Sequence, residues 1–205
     1  MCPDCSGWLR MGAARAICRG AKDGRPPGWD ATFLTFTEPA TATLDVAGFS
    51  RRQEATLKRM RRRGWIGQSA TVVEFQRRGA LHAHVIAHSP IALCNQLEDR
   101  RSRSSYRFRM NELRPMLVDL GWGPVCDAVA VAGFGETSNY MAKSLSSYLS
   151  KQAQRAFKDL GAERIRPVRL SRGWYPGGLM QAQKDVKIGQ PDAGPWEDVS
   201  NIGPC

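Results

Sequence analysis

This sequence lacks any long apolar run, and none approaches the roughly 20 residues that a membrane-spanning helix requires. No succession of charged, apolar and small residues typical of a signal peptide opens the chain. We therefore expect a cytoplasmic protein with no membrane partner. In that compartment its six cysteines are expected to be reduced or metal-bound, and not paired in disulfides.

Acidic residues are scarce, with 19 Asp and Glu against 30 Lys and Arg, which gives a net charge of +11. Such an excess indicates an acidic partner, with nucleic acid as the first candidate and an anionic membrane surface as the second. The Gly-x-x-x-x-Gly-Lys-Ser/Thr pattern is missing as well, which excludes a P-loop ATPase domain from this chain. Its 205 residues suffice for one domain with an ordinary core.

The N-terminal segment, residues 1–29, begins like a zinc knuckle but lacks a complete ligand set. A structural zinc ion needs four nitrogen or sulfur ligands. The candidate ligands in this segment are Cys2, Cys5 and Cys18. The fourth ligand is a distant Cys94 or Cys126, or the chain begins inside a longer element, or the three cysteines are ordinary thiols. Glycines and prolines between residues 19 and 29 predict a loop leading into the main domain.

The stretch from residue 81 to residue 86 alternates as a half-buried β-strand does. Successive side chains on a strand point to opposite faces, so His82 and His84 share one face. The face that we expect to be buried against helices carries Leu81, Ala83 and Val85. A His-x-His pair also occurs by chance on ordinary strands, so a third ligand is needed to indicate a metal site.

That third ligand is Glu74 on the preceding strand. Residues 71–76 form a β-branched and aromatic run, and Arg77-Arg78-Gly79 fits a three-residue hairpin loop with glycine at positive φ. This loop pairs Gln76 with Ala80 and Glu74 with His82, and directly opposed residues have Cβ atoms about 5 Å apart.

One carboxylate and two imidazoles on one face predict a divalent-metal site formed by Glu74, His82 and His84. Such a set accepts several divalent ions, and Mn²⁺ or Mg²⁺ is the expected one. His88 falls on the same face but about 13 Å beyond His84 along an extended strand. Because that is too far for the same ion, we expect His88 to be a surface histidine.

A basic helix is predicted from Ser50, as its N-cap, to Arg63, with Gly64 at its end. It follows a predicted central strand over residues 31–37. Its cations are Arg51, Arg52, Lys58, Arg59, Arg61, Arg62 and Arg63. A charge run is often only a solvated face, but nearly one-signed charge repels itself unless phosphates relieve it. We therefore expect this helix to contact nucleic acid, while Trp65 just after it either stacks on a base or packs.

A second helix predicted after residue 135 carries further candidate chemistry. Glu136 and Tyr140 are about 40° apart around its axis and Tyr140 and Lys143 about 60°, so all three can face one ligand. Tyr148 and Lys151 repeat the Tyr-x-x-Lys spacing roughly 12 Å along the axis, so both tyrosines cannot address one phosphate. Lys151 is a further candidate DNA contact. By itself the pattern also fits an ordinary amphipathic helix with a buried tyrosine.

A carboxylate with His-x-His, followed by Tyr-x-x-Lys on a helix, resembles the HUH endonuclease superfamily. More narrowly, the pattern is similar to the rolling-circle replication initiator (Rep) proteins of small plasmids and single-stranded DNA viruses. Their first motif resembles Thr32-Phe-Leu-Thr-Phe-Thr37, and their second resembles Gly79-Ala-Leu-His82-Ala-His84-Val-Ile with Glu74 at a spacing like that of viral Reps. Their third resembles Tyr140-Met-Ala-Lys143, with Glu136 like the glutamate of some plasmid initiators. The resemblance covers residues 31–175.

This resemblance implies that the protein nicks single-stranded DNA at an origin hairpin or melted tract. The metal ion would polarise the scissile phosphate, and a tyrosine would attack it to give a 5′-phosphotyrosine and a free 3′-OH that primes replication. Lys143 would stabilise the phenolate or the phosphate, and Glu136 would act as a base for Tyr140 or for a later water. The basic helix would grip the strand.

The nucleophile and the partners follow from where this chain departs from the family. Phage-type relatives carry two tyrosines four residues apart, whereas the second tyrosine here is Tyr148, so the nucleophile is Tyr140 by preference and Tyr148 otherwise. Without an ATPase domain, strand separation falls to a host helicase and synthesis to a host polymerase. If the source is a virus, the protein acts in the cytoplasm of the host cell.

Three other functions fit parts of the pattern. A tyrosine transposase of the same superfamily would transfer strands between DNA ends and would not nick an origin. A non-catalytic basic nucleic-acid-binding protein would have no nicking activity to lose. A non-haem iron oxygenase also uses two histidines and one carboxylate, although the charge of +11 suits DNA better.

For the fold we expect an α+β protein with a five-stranded antiparallel sheet of the ferredoxin/RRM-like HUH type. The helices are expected to pack on one face of this sheet, with the metal site on the other face. The nicking domain is predicted to span residues 30–175, and residues 176–205 are predicted to form a poorly ordered tail.

Overall fold

The computed structural model describes residues 3–39, 45–76, 80–92, 112–124, 126–131, 133–148, 150, 155, 158 and 166–187. Side chains are described from residue 7 onward, apart from those at 146–148. The helices are α1 (Pro3–Asp23), α2 (Val46–Arg62), α3 (112–119), α4 (Phe134–Tyr148) and α5 (Gly178–Lys187). The strands are β1 (Trp29–Thr37), β2 (Ser69–Phe75), β3 (Leu81–Pro90), β4 (Cys126–Ala130) and β5 (Val168–Leu170).

The five strands form one antiparallel sheet in the order β4-β1-β3-β2-β5. This confirms the predicted α+β class, the strand number and the antiparallel pairing. From β1 to β4 the chain follows the β-α-β-β-α-β order of ferredoxin-like folds, with α2 and α3 as the connecting helices. The β2–β3 hairpin therefore lies inside the sheet, and β3 is its central strand.

One face of the sheet is covered by α2 and α3. The apolar side chains of these helices pack on the odd-numbered residues of β3, which the sequence predicted to be buried. The members from the helices are Phe49, Leu57, Met60, Leu113, Met116 and Leu117, and those from β3 are Leu81, Ala83, Val85 and Ala87. The helix α2 begins earlier than predicted, because Asp45 and not Ser50 caps it: the Asp45 carboxylate accepts a hydrogen bond of 2.8 Å from the Gly48 N–H.

The opposite face is covered as well, by α1, α4 and α5. Its core includes Ala13, Ile17, Ala31, Val72, Ile86, Met141, Leu145, Trp174 and Ala182. The expectation that the helices pack on one face only was therefore wrong. Both faces of the central strands carry apolar side chains, and each face must be covered to remove them from water.

Both ends of the chain differ from the sequence interpretation. Residues 3–23, expected to hold a zinc knuckle and part of a loop, form the continuous helix α1. Cys5 and Cys18 are separated by about 20 Å at the helical rise, so they cannot share a zinc ion, and Cys2 lies outside the described residues. The expected tail from residue 176 contains α5, whose Ala182 is buried, and residues 188–205 lie outside the described part.

Within the described residues, no helix combines the length and the apolar character needed to cross a lipid bilayer.

His88 is a core residue, and its prediction as a surface histidine was wrong. Only 1% of it is exposed, because α1 covers this end of β3. Its Nε2–H donates to the Gly20 carbonyl at 2.9 Å, and its ring stacks on Trp174 with centroids 4.5 Å apart. Burial lowers the pKa of His88, the hydrogen bond to Gly20 opposes this, and the charge of Arg25 lowers the pKa further. The neutral ring thus fastens α1 to the sheet.

The free energy of unfolding is expected to fall as the pH drops below about 6.5, because the unfolded chain then binds a proton that buried His88 excludes. The slope from this group is at most about 1.4 kcal/mol per pH unit. Urea unfolding of the wild type and of His88→Gln between pH 8 and pH 5, with a chelator present, measures it. The variant should be less stable at pH 8, and its deficit should shrink on acidification. A deficit that stays constant across this range contradicts the assignment.

Candidate metal centre and the neighbouring phenol

The β2–β3 register places the predicted ligands on one face of the sheet. Glu74 pairs directly with His82, as the loop length predicted, and His84 lies two residues farther along the same face. A backbone hydrogen bond of 2.9 Å from the Gln76 N–H to the Ala80 carbonyl continues the ladder toward the turn. The turn itself, residues 77–79, lies outside the described residues.

Glu74, His82 and His84 form a compact set of donor atoms. One ligand atom from each of the three side chains lies within 4.8 Å of the other two. Nε2 of His84 is 2.7 Å from a carboxylate oxygen of Glu74, and the imidazoles are 8% and 2% exposed at His82 and His84. The hydrogen bond with His84 lowers the pKa of Glu74, and although partial burial raises it, the charges of both imidazoles lower it again. The carboxylate is therefore ionised at neutral pH.

Two polar neighbours orient the imidazoles. The Thr35 hydroxyl lies 3.4 Å from Nδ1 of His84, and the Gln76 side-chain amide lies 3.3 Å from Nδ1 of His82. The Thr35 hydroxyl oxygen accepts a hydrogen bond from Nδ1–H of His84. The Gln76 amide accepts one from Nδ1–H of His82 when its oxygen faces the ring, an orientation that fits equally well because the two ends of an amide have the same shape. Without a metal ion, Nε2–H of His84 donates to the Glu74 carboxylate; with the proton of each ring held at Nδ1, Nε2 would be available to bind an ion. This donor set fits a divalent transition-metal ion.

Tyr140 on α4 lies beside this set. Its ring is 5.2 Å from the ring of His84, centroid to centroid, in an edge-on contact. Phe33 completes the cluster, because it stacks on His84 at 5.7 Å and meets Tyr140 at 5.9 Å. Burial raises the pKa of Tyr140, the negative charge of Glu74 raises it further, and a hydrogen bond with Ser144 lowers it. Half of the residue, 52%, is nevertheless exposed, so a solute can reach the phenol.

The other predicted catalytic residues are less closely placed. Glu136 is exposed in the first turn of α4. Its carboxylate lies close to Gly133, since a Cβ added to that glycine would be 3.2 Å from Oε2 of Glu136. Lys143 is exposed and lines a cavity between α1 and α4. The structure thus brings Tyr140 to the metal ligands and turns Lys143 toward α1. The side chain of Tyr148 and all of Lys151 lie outside the described residues.

The basic helix α2 lies on the sheet face opposite the metal ligands, because its apolar side packs on Ala83 and Val85 whereas His82 and His84 point the other way. It therefore does not lie beside the candidate metal centre. A helix that grips a DNA strand bound at this centre would have to lie there. The physical reason is the alternation of β3, which assigns its two faces to different helices.

Several cations of α2 already have protein acceptors. Arg52 forms an ion pair with buried Glu38, and Arg59 lies 3.4 Å from Asp119. Arg61 donates to the Ser69 hydroxyl at 2.8 Å. The remaining exposed cations are Arg51, Lys58, Arg62 and Arg63. Trp65 packs against the core under the Arg63 guanidinium, 4.9 Å from its ring centre, so the two alternatives for this residue resolve in favour of packing.

Sequence reasoning missed Glu38, which anchors the start of β3. This carboxylate is 1% exposed and accepts hydrogen bonds from Arg52 and, at 3.1 Å, from the N–H of Leu81, the residue before His82. Desolvation raises its pKa, while the Leu81 N–H and the Arg52 charge lower it. Its local signal, a glutamate before a proline, indicated only the end of β1.

Thr35, Gln76 and Phe33 were also missed as neighbours of the site. Thr35 and Phe33 belong to β1, and their nearness to His84 depends on the pairing of Thr35 with His84 across the sheet. The residues next to His84 in the sequence give no indication of these two contacts, because α2 and β2 separate β1 from β3 along the chain.

Comparison with known proteins adds no relative, because the chain matches no protein-family model, no curated protein and no solved structure. The chemistry of the centre therefore rests on its own geometry. Among the described residues, that geometry gives a candidate metal centre at Glu74, His82 and His84.

Replacing His84 by alanine should abolish Mn²⁺ binding measured by calorimetric titration, because the imidazole faces the carboxylate directly. Thr35→Val should weaken binding by about 10- to 100-fold, the usual effect of removing a group that orients a ligand histidine. His88→Gln is the matched control, since His88 belongs to the same strand and the same face. Equal losses in the His84 and His88 variants would locate the ion elsewhere.

Proposed function

We propose that this protein is a metal-dependent endonuclease that nicks single-stranded DNA at an origin of rolling-circle replication, with Tyr140 as the nucleophile. The observation that carries this proposal is the 5.2 Å contact between the Tyr140 ring and His84 of the candidate metal centre. A phenol, two imidazoles and a carboxylate in contact, on a chain of net charge +11, suit attack on a phosphodiester.

The phenol needs help from a cation. At an ordinary pKa near 10, about one tyrosine in a thousand is ionised at pH 7, and burial together with Glu74 raises the pKa of Tyr140 further. A divalent ion held by Glu74, His82 and His84 would supply positive charge against Glu74 and Lewis acidity toward a phosphate oxygen. Until the ion and DNA are bound, Tyr140 remains protonated and unreactive.

In the proposed reaction, Oη of Tyr140 attacks the scissile phosphorus in line with the 3′ oxygen that leaves. A Tyr140–phosphorus ester forms, the phosphorus–O3′ bond breaks, and the phenol proton passes to a base while the departing 3′ oxygen takes up a proton from water. Glu136, one turn earlier on α4, is the base that we assign. Lys143, which borders the cavity between α1 and α4, has no assigned contact with the scissile phosphate in this step. The products are a 5′-phosphotyrosine and a 3′-OH, from which a host polymerase extends behind a host helicase.

The other functions differ in what they leave on the DNA. A tyrosine transposase would form the same phosphotyrosine and then join it to a second DNA end. A non-catalytic basic protein would bind DNA without forming any adduct. An iron oxygenase would need Fe²⁺ and an oxidisable co-substrate, and it would leave DNA intact.

Incubation of the protein with single-stranded oligonucleotides of varied sequence and Mn²⁺ tests the proposal. A covalent adduct that migrates slowly in a denaturing gel is expected, and Tyr140→Phe should reduce its yield at least about 1,000-fold because the attacking oxygen is gone. Tyr148→Phe is the matched control and should form the adduct normally. An adduct lost in Tyr148→Phe and kept in Tyr140→Phe would move the nucleophile to Tyr148. No adduct with any ion or sequence would favour a non-catalytic binding protein.

A further inference from the structure

Thr37, the last residue of β1, lies in the same row of the sheet as two of the candidate metal ligands. It pairs with His82, and His82 pairs on its other side with Glu74. Side chains at directly paired positions point to the same face of a sheet, so the Thr37 hydroxyl belongs to the metal-centre face. The neighbouring row has the same orientation, because Thr35 places its hydroxyl 3.4 Å from Nδ1 of His84.

The side chains of Thr37 and His82 lie close together. The Glu38 N–H donates to the Leu81 carbonyl at 3.4 Å, which places a hydrogen bond of the β1–β3 ladder at the adjoining pair. Because hydrogen-bonded and non-hydrogen-bonded pairs alternate along an antiparallel ladder, Thr37 and His82 form a pair of the second kind. In such pairs the side chains are closer, with Cβ atoms about 5 Å apart.

The Thr37 hydroxyl is a buried polar group that the surrounding protein does not satisfy. The residue is 3% exposed, and its Oγ1 has no hydrogen-bond partner among the residues that the structure describes. Nδ1 of His82 does not serve as that partner, because it faces the Gln76 amide at 3.3 Å. A buried hydroxyl without a hydrogen bond is unfavourable, and such groups in native proteins are normally paired with protein or with bound water.

An ion at the candidate metal centre would bring such a partner. Mn²⁺ and Mg²⁺ prefer octahedral coordination, and the protein supplies three donor side chains, from Glu74, His82 and His84. Water or substrate oxygens fill the remaining positions of such ions. The hydroxyl oxygen of a threonine is only one bond from Cβ, whereas Nε2 of a histidine lies at the far end of its ring. Thr37 therefore suits contact with the ion through a water ligand better than direct coordination.

We propose that Thr37 is a positioning residue of the metal centre, whose hydroxyl accepts a hydrogen bond from a water ligand of the ion and fixes that ligand beside His82. This role rests on the ion of the proposed function but not on the nicking step. Tyr140 contacts Phe33 and His84, in the rows away from Thr37. A water held at Thr37 therefore leaves the coordination positions near the phenol to a phosphate oxygen.

Calorimetric titration of the full chain with Mn²⁺, together with urea unfolding in Mn²⁺ and in a chelator, tests this role. Thr37→Val keeps the β-branched shape and removes the hydroxyl. The variant should raise the Kd for Mn²⁺ about tenfold, as expected for loss of a group that holds a ligand of the ion. In the chelator it should be at least as stable as the wild type, because an apolar methyl replaces a buried hydroxyl that has no partner. A threonine with a merely structural role would lose stability under both conditions.

Two further variants serve as controls. Thr37→Ser keeps the hydroxyl and should bind Mn²⁺ nearly as the wild type does. Thr32→Val makes the same exchange on the same strand but on the opposite face, where the Thr32 hydroxyl lies 2.7 Å from the Ser89 hydroxyl. It should lower stability with or without the ion and leave the affinity for Mn²⁺ unchanged. Wild-type affinity in Thr37→Val, an equal loss of affinity in Thr32→Val, or destabilisation of Thr37→Val in the chelator would overturn the proposal.

The adduct assay distinguishes failure of this role from failure of the nicking function. Adduct formation by the wild type, together with unchanged Mn²⁺ affinity in Thr37→Val, would reject the role of Thr37 alone. Weaker Mn²⁺ binding by Thr37→Val, in a protein that forms no adduct with any ion, would support that role and reject nicking. A wild type that binds no Mn²⁺ would reject both.

Discussion

The pairing of β2 with β3 is the constraint on which the candidate site depends. Its register sets Glu74 opposite His82, and the two-residue alternation of β3 adds His84 to the same face. A slip of one residue would send the carboxylate to the opposite face, toward α2. The slip is opposed because β3 is paired along both edges, with β1 as well as β2, and because Glu38 holds the N–H of Leu81 at the start of the strand.

Because both faces of the sheet are covered by helices, the side chains that this register brings together are shielded from water. Both imidazoles are buried, and that of His84 lies against Phe33 and against Tyr140 of α4, where charge is poorly screened and interactions between ionisable groups strengthen. The hydrogen bond with His84 lowers the pKa of Glu74 despite this burial, whereas burial and the charge of Glu74 raise the pKa of Tyr140. A cation held by the three candidate ligands would oppose the effect of the Glu74 charge and would therefore lower the pKa of Tyr140.

The basic character of the chain is divided between the two faces. On α2, Arg52 and Arg59 form ion pairs with Glu38 and Asp119, and Arg61 donates a hydrogen bond to the Ser69 hydroxyl. The helices on the metal-centre face carry cations as well, and Arg10 and Lys143 border a cavity between α1 and α4. The net charge alone therefore does not show which face of the sheet would meet an acidic partner.

The sequence by itself determined the pairing and register of β2 and β3 and the three candidate metal ligands, because these follow from alternation and loop length over some fifteen neighbouring residues. Only the tertiary structure decided which helices cover which face, that His88 is buried by α1, and that Thr35, Phe33 and Tyr140 meet at His84. These contacts join segments far apart in the chain, and the apolar patterns of α1, α2 and α4 require a partner without specifying one. The physical reason is that the register of a hairpin depends on the spacing of residues close together in the chain. Hydrophobic burial has no preferred direction, so which helix covers which face of the sheet depends on how all the helices pack together.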